Sequence, residues 1–371
     1  MRLSYISNSR IPTGHAHGLQ IMYMCEEFAK RGAEVDLVVP AKKNFHDEDP
    51  FEHYGVERIF RITRITVPDL LSRISIAPRI TFLLDLFFYG LALYLQPISE
   101  RRIIYTRDYG LLFFLPRNVP IFLEVHDLPR WTSVFKFAAR RVAGFVVITK
   151  GLKEMLIGLG ITPAKILVAP DAVHLEDFAN PESREAARRR LGLLQRAKIA
   201  MYIGRIDGWK GTDTLFEAAS RMHDVSTVVI GALLKDITAL RAAHPRITFF
   251  EMRPYQELAD NQQAADFLIL PASAKHAISA RYTSPLKLFT YMTSGIPLIA
   301  SDVPSLREVI DERHAFFFRA DDAESLATTI EHAIGHSEEG REKARVAKEL
   351  VRRYTWEERA KNILSFLRNQ S

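Results

Sequence analysis

A single cysteine, Cys25, stands among 371 residues. The chain therefore has no internal disulfide framework and no multi-cysteine zinc site, and a reducing, cytoplasmic setting is expected. No apolar run reaches the roughly 20 residues that a membrane-spanning helix needs. The most membrane-like stretch, Ile80 to Leu95, is interrupted by Asp85 and reads as a buried core helix or one that dips into the interface. The opening Met1–Ser7 reads as a short apolar strand rather than a secretion signal. No fixed-period repeat and no low-complexity tract occur. Neither sign of charge dominates, with 50 Lys and Arg against 44 Asp and Glu, a net of +6. The excess is unevenly spread. Residues 58–153 carry 15 Lys and Arg against 6 Asp and Glu, or +9. A basic region confined to one part of the chain points to an anionic partner, a membrane face or an acidic acceptor, and not to a nucleic-acid groove.

What is present is ordinary soluble composition, 47% apolar and 25% charged, which excludes disorder and fibres. Short apolar runs alternate with helix-length amphipathic segments. In the first half they are Leu3–Ser7, Val35–Val39, Ile103–Tyr105, Ile121–Val125, Phe145–Ile148 and Ile166–Val168. The second half has Ile199–Ile203, Thr227–Ile230, Ile247–Phe250, Phe267–Leu270, Leu298–Ala300 and Ala315–Phe318. Runs without alternation fit strands buried on both faces, and strands separated by helices imply right-handed βαβ units in parallel sheets. The pattern restarts after the charge-rich stretch Pro181–Lys198. Two doubly wound α/β domains are expected, residues 1–180 and 181–350.

Ligands of doubly wound sheets sit beyond the carboxyl ends of the strands. Four such places stand out. After the first strand comes Asn8–Gly18, with Gly14 and Gly18 ahead of a helix expected from Leu19. It is neither a G-x-G-x-x-G fingerprint nor a Gly-Lys-Ser/Thr phosphate loop, and His15 and His17 lack a third neighbour to make a metal site. At Glu124-Val125-His126-Asp127 a strand ends in His126, placed either to meet a substrate hydroxyl or to serve as a satisfied structural histidine. In Tyr202–Gly211 a strand ends at Gly204, and Arg205 and Lys210 flank a turn. This is a clamp for a diphosphate or a solvated turn. Finally, Ser284 and Pro285 suit the N-cap and first position of a helix. Leu286 and Lys287 would then turn unpaired N–H groups toward an anion, unless the helix is simply a capped one.

Taken together, these segments resemble a known family. YISNSRIPT…HGLQIM, EVHD, APDAVHLEDF, YIGRIDGWKGTDTLFEA, SPLKLFTYMTSGIPLIASDVPSLREVI and YTWEERAKNIL look like a retaining GT-B-fold glycosyltransferase of glycosyltransferase family 4. The resemblance implies two Rossmann-like domains, an acceptor-binding one and a nucleotide-sugar-binding one, with a C-terminal helix in 351–371 crossing back to the first. By the same resemblance, Arg205 and Lys210 hold the donor diphosphate, Gly18 faces the phosphates, and His126 contacts the donor sugar. Leu286 and Lys287 match the phosphate-binding amides after Ser284, and Arg253 lies where the family loop covers the base.

Where the family has two glutamates eight residues apart, this chain has Tyr282 and Thr290. The second glutamate binds ribose hydroxyls, so Thr290 forfeits a charge-assisted hydrogen bond of roughly 1.5–3 kcal/mol. Ala172 and His174 replace the usual glycine and aspartate. The expected activity is transfer, with retention, of a sugar from a UDP- or GDP-linked donor to a glycan or lipid-linked acceptor at the cytoplasmic membrane face. No metal is required in that reading, and the acidic triplet Asp47-Glu48-Asp49 reads as solvated. A catalytically weak nucleotide-binding subunit or scaffold, and another GT-B enzyme such as an epimerase or phosphorylase, are the competing readings.

Overall fold

The apolar runs become strands of two parallel sheets. The computed structural model describes residues 1–42, 48–69, 78–96, 102–129 and 131–370. The chain divides into one unit of Met1–Ile148, Leu152–Ala169 and Trp356–Ser371, and another of Thr149–Gly151 and Pro170–Thr355.

The first unit holds β1 (Arg2–Ile6), β2 (Glu34–Ala41), β3 (Arg61–Thr66), β4 (Arg102–Thr106), β5 (Ile121–Val125), β6 (Gly144–Val147) and β7 (Ile166–Val168). They pair in parallel in the order β3-β2-β1-β4-β5-β6-β7. The order reverses between β1 and β4, the switch point where such sheets bind ligands. β3 was not among the expected strands. Its sequence, RITRIT, is not an apolar run, and only Ile65 is fully buried, because an edge strand is largely solvated.

The helix Pro78–Leu95 corrects the expectation of a core helix. Thr81, Asp85, Tyr89 and Leu93 recur every four residues and are buried, whereas Ile80, Phe82, Leu83, Leu84, Phe87, Leu91, Tyr94 and Leu95 are exposed. Polar groups thus face inward. Lys42 Nζ lies 3.2 Å from Asp85 Oδ2, with side-chain exposures of 3% and 0%. Tyr89 donates to the Val38 carbonyl at 2.8 Å. Among the described residues, no helix is long and apolar enough to cross a membrane.

The closing helix Trp356–Gln370 packs within the same unit, against the helix Ala16–Lys30. Trp356 meets Tyr23 edge to face at 6.0 Å, and Phe366 meets Phe122 at 6.0 Å.

The second unit holds β8 (Lys198–Ile203), β9 (Val225–Ala232), β10 (Ile247–Glu251), β11 (Phe267–Leu270), β12 (Leu298–Asp302) and β13 (Phe316–Arg319). They are parallel in the order β10-β9-β8-β11-β12-β13. Residues of β8 alternate between two cores: Ile199, Met201 and Ile203 join one, Ala200 and Tyr202 the other. The charge-rich stretch expected to mark a boundary at Pro181 belongs wholly to this unit, since the chain changes unit between Ala169 and Pro170. Its Arg188 is buried, pairs with Asp266 at 2.7 Å and donates to the carbonyls of Ala264, Gln195 and Ala197. Those charges are structural as much as solvated.

Candidate functional site

Polar chemistry collects at strand ends in each unit. In the second unit β8 ends at Gly204, whose φ is 149°. A Cβ there would stand 3.0 Å from Lys287 Cδ, and one on Gly231 would meet the Gly204 oxygen at 2.2 Å. Only glycine permits that crossing of backbones.

Arg205 is exposed, its Nε 3.7 Å from Asp207 Oδ1, while Lys210 Nζ sits 2.8 Å from Asp207 Oδ2. Asp207 thus gathers the two cations that the sequence pairs across the turn. Lys287 approaches from the helix Leu286–Thr293. Its ammonium donates to the Tyr202 hydroxyl at 2.8 Å and lies 4.4 Å from that ring's centre. Tyr202 in turn donates to the Arg205 carbonyl at 2.9 Å. Burial pulls the Lys287 pKa down to about 7, and the charge of Lys210 adds to the fall. Tyr291 secures the helix by accepting from the Ile203 N–H at 2.7 Å.

The helix start differs from expectation by one residue. Pro285 is the N-cap residue and Leu286 the first helical one. Ser284 does not cap, because its hydroxyl accepts the Asp171 N–H at 3.0 Å. The N–H groups of Leu286 and Lys287 nevertheless occupy the first turn, where helices leave donors without internal partners. Thr290, 3% exposed, donates its hydroxyl proton to the Lys287 carbonyl at 3.1 Å. Arg253 is exposed, beyond β10.

In the first unit the helix begins at Ala16, not Leu19. Gly18 therefore lies in its first turn, with its amide bonded to the His15 carbonyl at 3.0 Å. A Cβ there would fall 2.2 Å from the Tyr54 hydroxyl, so close packing explains the glycine. The expectation that its backbone faces phosphates finds no free amide. His15 and His17 stack at 5.6 Å, and burial brings His17 down to about 4, Arg107 assisting.

At the end of β5, His126 Nε2 lies 2.5 Å from Glu124 Oε1. Arg359 of the closing helix donates to the same oxygen at 2.7 Å, and Tyr105 donates to Oε2. The spacing of Glu124 and His126 by two, same-facing positions along an extended chain, was a signal the sequence carried. Arg359 lies 235 residues from Glu124, and nothing local in sequence connects them. Of the acidic triplet, Asp47 lies outside the described residues. Glu48 bonds His53 at 2.6 Å, and Asp49 caps the helix Pro50–Tyr54 by accepting from Phe51 N at 2.9 Å. Glu48 stays largely exposed, as expected, whereas Asp49 has a structural role as the cap.

Two parallel Rossmann-like sheets with a cation cluster at one switch point define the GT-B class of fold. Comparison with known proteins agrees. Two protein-family models match, "Glycosyltransferase Family 4" over residues 18–177 and "Glycosyl transferases group 1" over residues 197–336. A D-inositol 3-phosphate glycosyltransferase of Stackebrandtia nassauensis is 27% identical over 236 residues, 58% of this chain and 52% of that one. The chain spans about half the length of the curated relatives it matches first. Among solved structures, a sucrose-phosphate synthase from Thermosynechococcus elongatus aligns with TM-score 0.80 at 19% identity, over 99% of this chain and 98% of that one. Anabaena HepE in complex with UDP-glucose aligns with TM-score 0.74 at 15% identity over 100% of both chains. This chain belongs to the group 1, family 4 glycosyltransferases.

Proposed function

We propose that the chain is a retaining glycosyltransferase that moves a sugar from a UDP- or GDP-linked donor to a glycan or lipid-linked acceptor at the cytoplasmic face of a membrane. The observation that carries the donor half is the cluster of Arg205, Lys210 and Lys287 around the start of the helix Leu286–Thr293. Three cations and two first-turn amides suit a diphosphate, the arginine as a fork and the lysines as point charges. The HepE neighbour solved with UDP-glucose agrees with such a donor.

In this reading the leaving diphosphate takes the acceptor proton as the new bond forms on the face it departs from. Arg205 and Lys210 stabilise its growing charge, which makes catalysis a matter of positioning and electrostatics. These cations supply the countercharge, so the reading asks for no metal. His126 meets the donor sugar, and Arg253 covers the base. Incubation with UDP- and GDP-sugars, followed by NMR of the product's anomeric centre, tests it. An inverted product overturns retention.

The exposed apolar face of the helix Pro78–Leu95, in a region of net charge +9, supports the membrane half. Apolar area outside and cations nearby suit an anionic lipid surface. Sedimentation with anionic vesicles should show binding that falls steeply with salt, and indifference to lipid charge would favour a soluble acceptor. Thr290 favours a second reading, a nucleotide-binding subunit of weak activity. Tight diphosphate binding without multiple-turnover transfer would select it.

A further inference from the structure

β5 is buried throughout, yet it carries a carboxylate at Glu124. Burial alone would raise that carboxyl, but Arg359 and His126 outweigh it and hold Glu124 well below the usual range. Burial raises the Tyr105 phenol well above its ordinary value, so it remains a donor. An ionised carboxylate only accepts. The proton between Glu124 Oε1 and His126 Nε2 therefore sits on the ring. The charged and titratable groups facing the imidazole are Glu124 on β5, Arg107 after β4, His17 on the helix Ala16–Lys30, and Arg359 on the closing helix. Burial and Arg107 prevail over Glu124 and bring His126 down to about 4. The ring is then neutral near pH 7, its Nε2 committed, and Nδ1 is a lone-pair acceptor with no hydrogen-bond partner among the described residues. The side chain retains 18% exposure, against 2% for Glu124 and 3% for Arg359.

We propose that Glu124 and Arg359 are positioning residues for His126, locking its ring as the Nε2–H tautomer so that Nδ1 accepts a hydrogen bond from a hydroxyl of the bound sugar. Glu124 fixes the ring's orientation, the role of the carboxylate in a carboxylate–imidazole pair. Arg359 offsets the carboxylate's charge, which would otherwise draw a second proton onto the ring and turn Nδ1 into a donor. The closing helix thereby reaches the chemistry at the end of β5 through Arg359. That the hydroxyl belongs to a sugar rests on the function proposed above; the tautomer does not.

Long-range ¹⁵N–¹H correlation spectra of the full chain test the tautomer without any substrate. A pyridine-type Nδ1 and a pyrrole-type Nε2 at His126, unchanged from pH 8 down to pH 5.5, are expected. The opposite tautomer, or titration near the ordinary 6.5, overturns the proposal whether or not the chain transfers sugar. Arg359→Met should raise the pH at which His126 titrates and shift the acid limb of kcat the same way, while Arg359→Lys should restore both. Glu124→Gln should lower kcat by roughly tenfold or more, the scale of removing an orienting partner, with nucleoside diphosphate affinity unchanged. Normal kcat in folded Glu124→Gln overturns the positioning role even if the tautomer is as stated. Should the variants fail to fold, the spectrum of the unaltered chain still decides the tautomer on which the proposal stands.

Discussion

At the scale of single residues, the proposed clamp is a balance around Asp207, which neutralises part of the charge on Arg205 and Lys210. A diphosphate bound as proposed would compete with that carboxylate for both. Arg205→Ala or Lys210→Ala should each lower transfer at least about a hundredfold, the scale of one lost preorganised electrostatic contact of roughly 2.7–4 kcal/mol. Both lie in a polar turn, so melting points should hold. Near-normal turnover in a folded double variant removes the assignment. Lys287 should make the proposed clamp sensitive to pH. With its pKa near 7, part of the population is neutral at pH 7 and more above it. A bound anion favours the charged form, so binding takes up a proton and affinity should fall as pH rises from 6 through 8. Calorimetry in buffers of differing ionisation enthalpy reads this directly, and Lys287→Met should flatten the profile. The same group affects folding with the opposite sense. An unfolded lysine, pKa 10.5, binds more protons than the folded one between pH 7 and 10.5, so its contribution to stability grows as pH rises across that window.

Two helices set the behaviour at the scale of elements. In Leu286–Thr293, Thr290 stands four residues past the first, about 6 Å along the axis. Its proton is already given to the Lys287 carbonyl, so only its oxygen is left to accept. If that position faces the ribose, Thr290→Glu should tighten nucleoside diphosphate binding by roughly 1–2 kcal/mol. A weaker dissociation constant in a folded variant would show that the pocket has been rebuilt around threonine. The helix Pro78–Leu95 keeps Asp85 inside, paired with Lys42, and Phe82 and Phe87 outside. Removing one partner of a buried pair strands the other's charge, at about 3–5 kcal/mol. Lys42→Met removes the ammonium 3.2 Å from Asp85 and should lower stability in urea denaturation by up to about that much. Phe82→Glu with Phe87→Glu, on the exposed face, should leave stability nearly unchanged while abolishing vesicle binding.

For the whole molecule, the decisive connection is the return of Trp356–Gln370 to the unit that opens the chain. Trp356, Ile363, Leu364 and Leu367 are all buried there. Each fully buried large apolar side chain stabilises by about 1.5–3 kcal/mol, so four amount to roughly 6–12 kcal/mol, comparable with the stability of an entire domain. A chain ending at Thr355 should therefore lose the cooperative melting of the first unit, read by calorimetry. The second unit holds its own sheet and two cores within Pro170–Thr355 and should melt as before.

The alternation of apolar runs with amphipathic segments determined the parallel α/β class by itself, because strands buried on both faces need nothing but hydrophobicity to be recognised. The cation cluster behind the proposed clamp was legible for a similar reason: Arg205 and Lys210 are five apart on one turn, and Leu286 and Lys287 follow a proline at a helix start. β3 escaped because an edge strand is largely solvated, and Ser284 escaped because its partner, Asp171, is remote in sequence. The inward turn of Asp85 and the outward turn of its apolar neighbours depended on where Lys42 sits. Above all, the group around His126 was decided only by tertiary structure. A carboxylate in an apolar strand is stable only when a cation meets it, and Arg359 arrives from the far end of the chain. Local sequence encodes period and propensity; the neutralisation of a buried charge depends on distance in space.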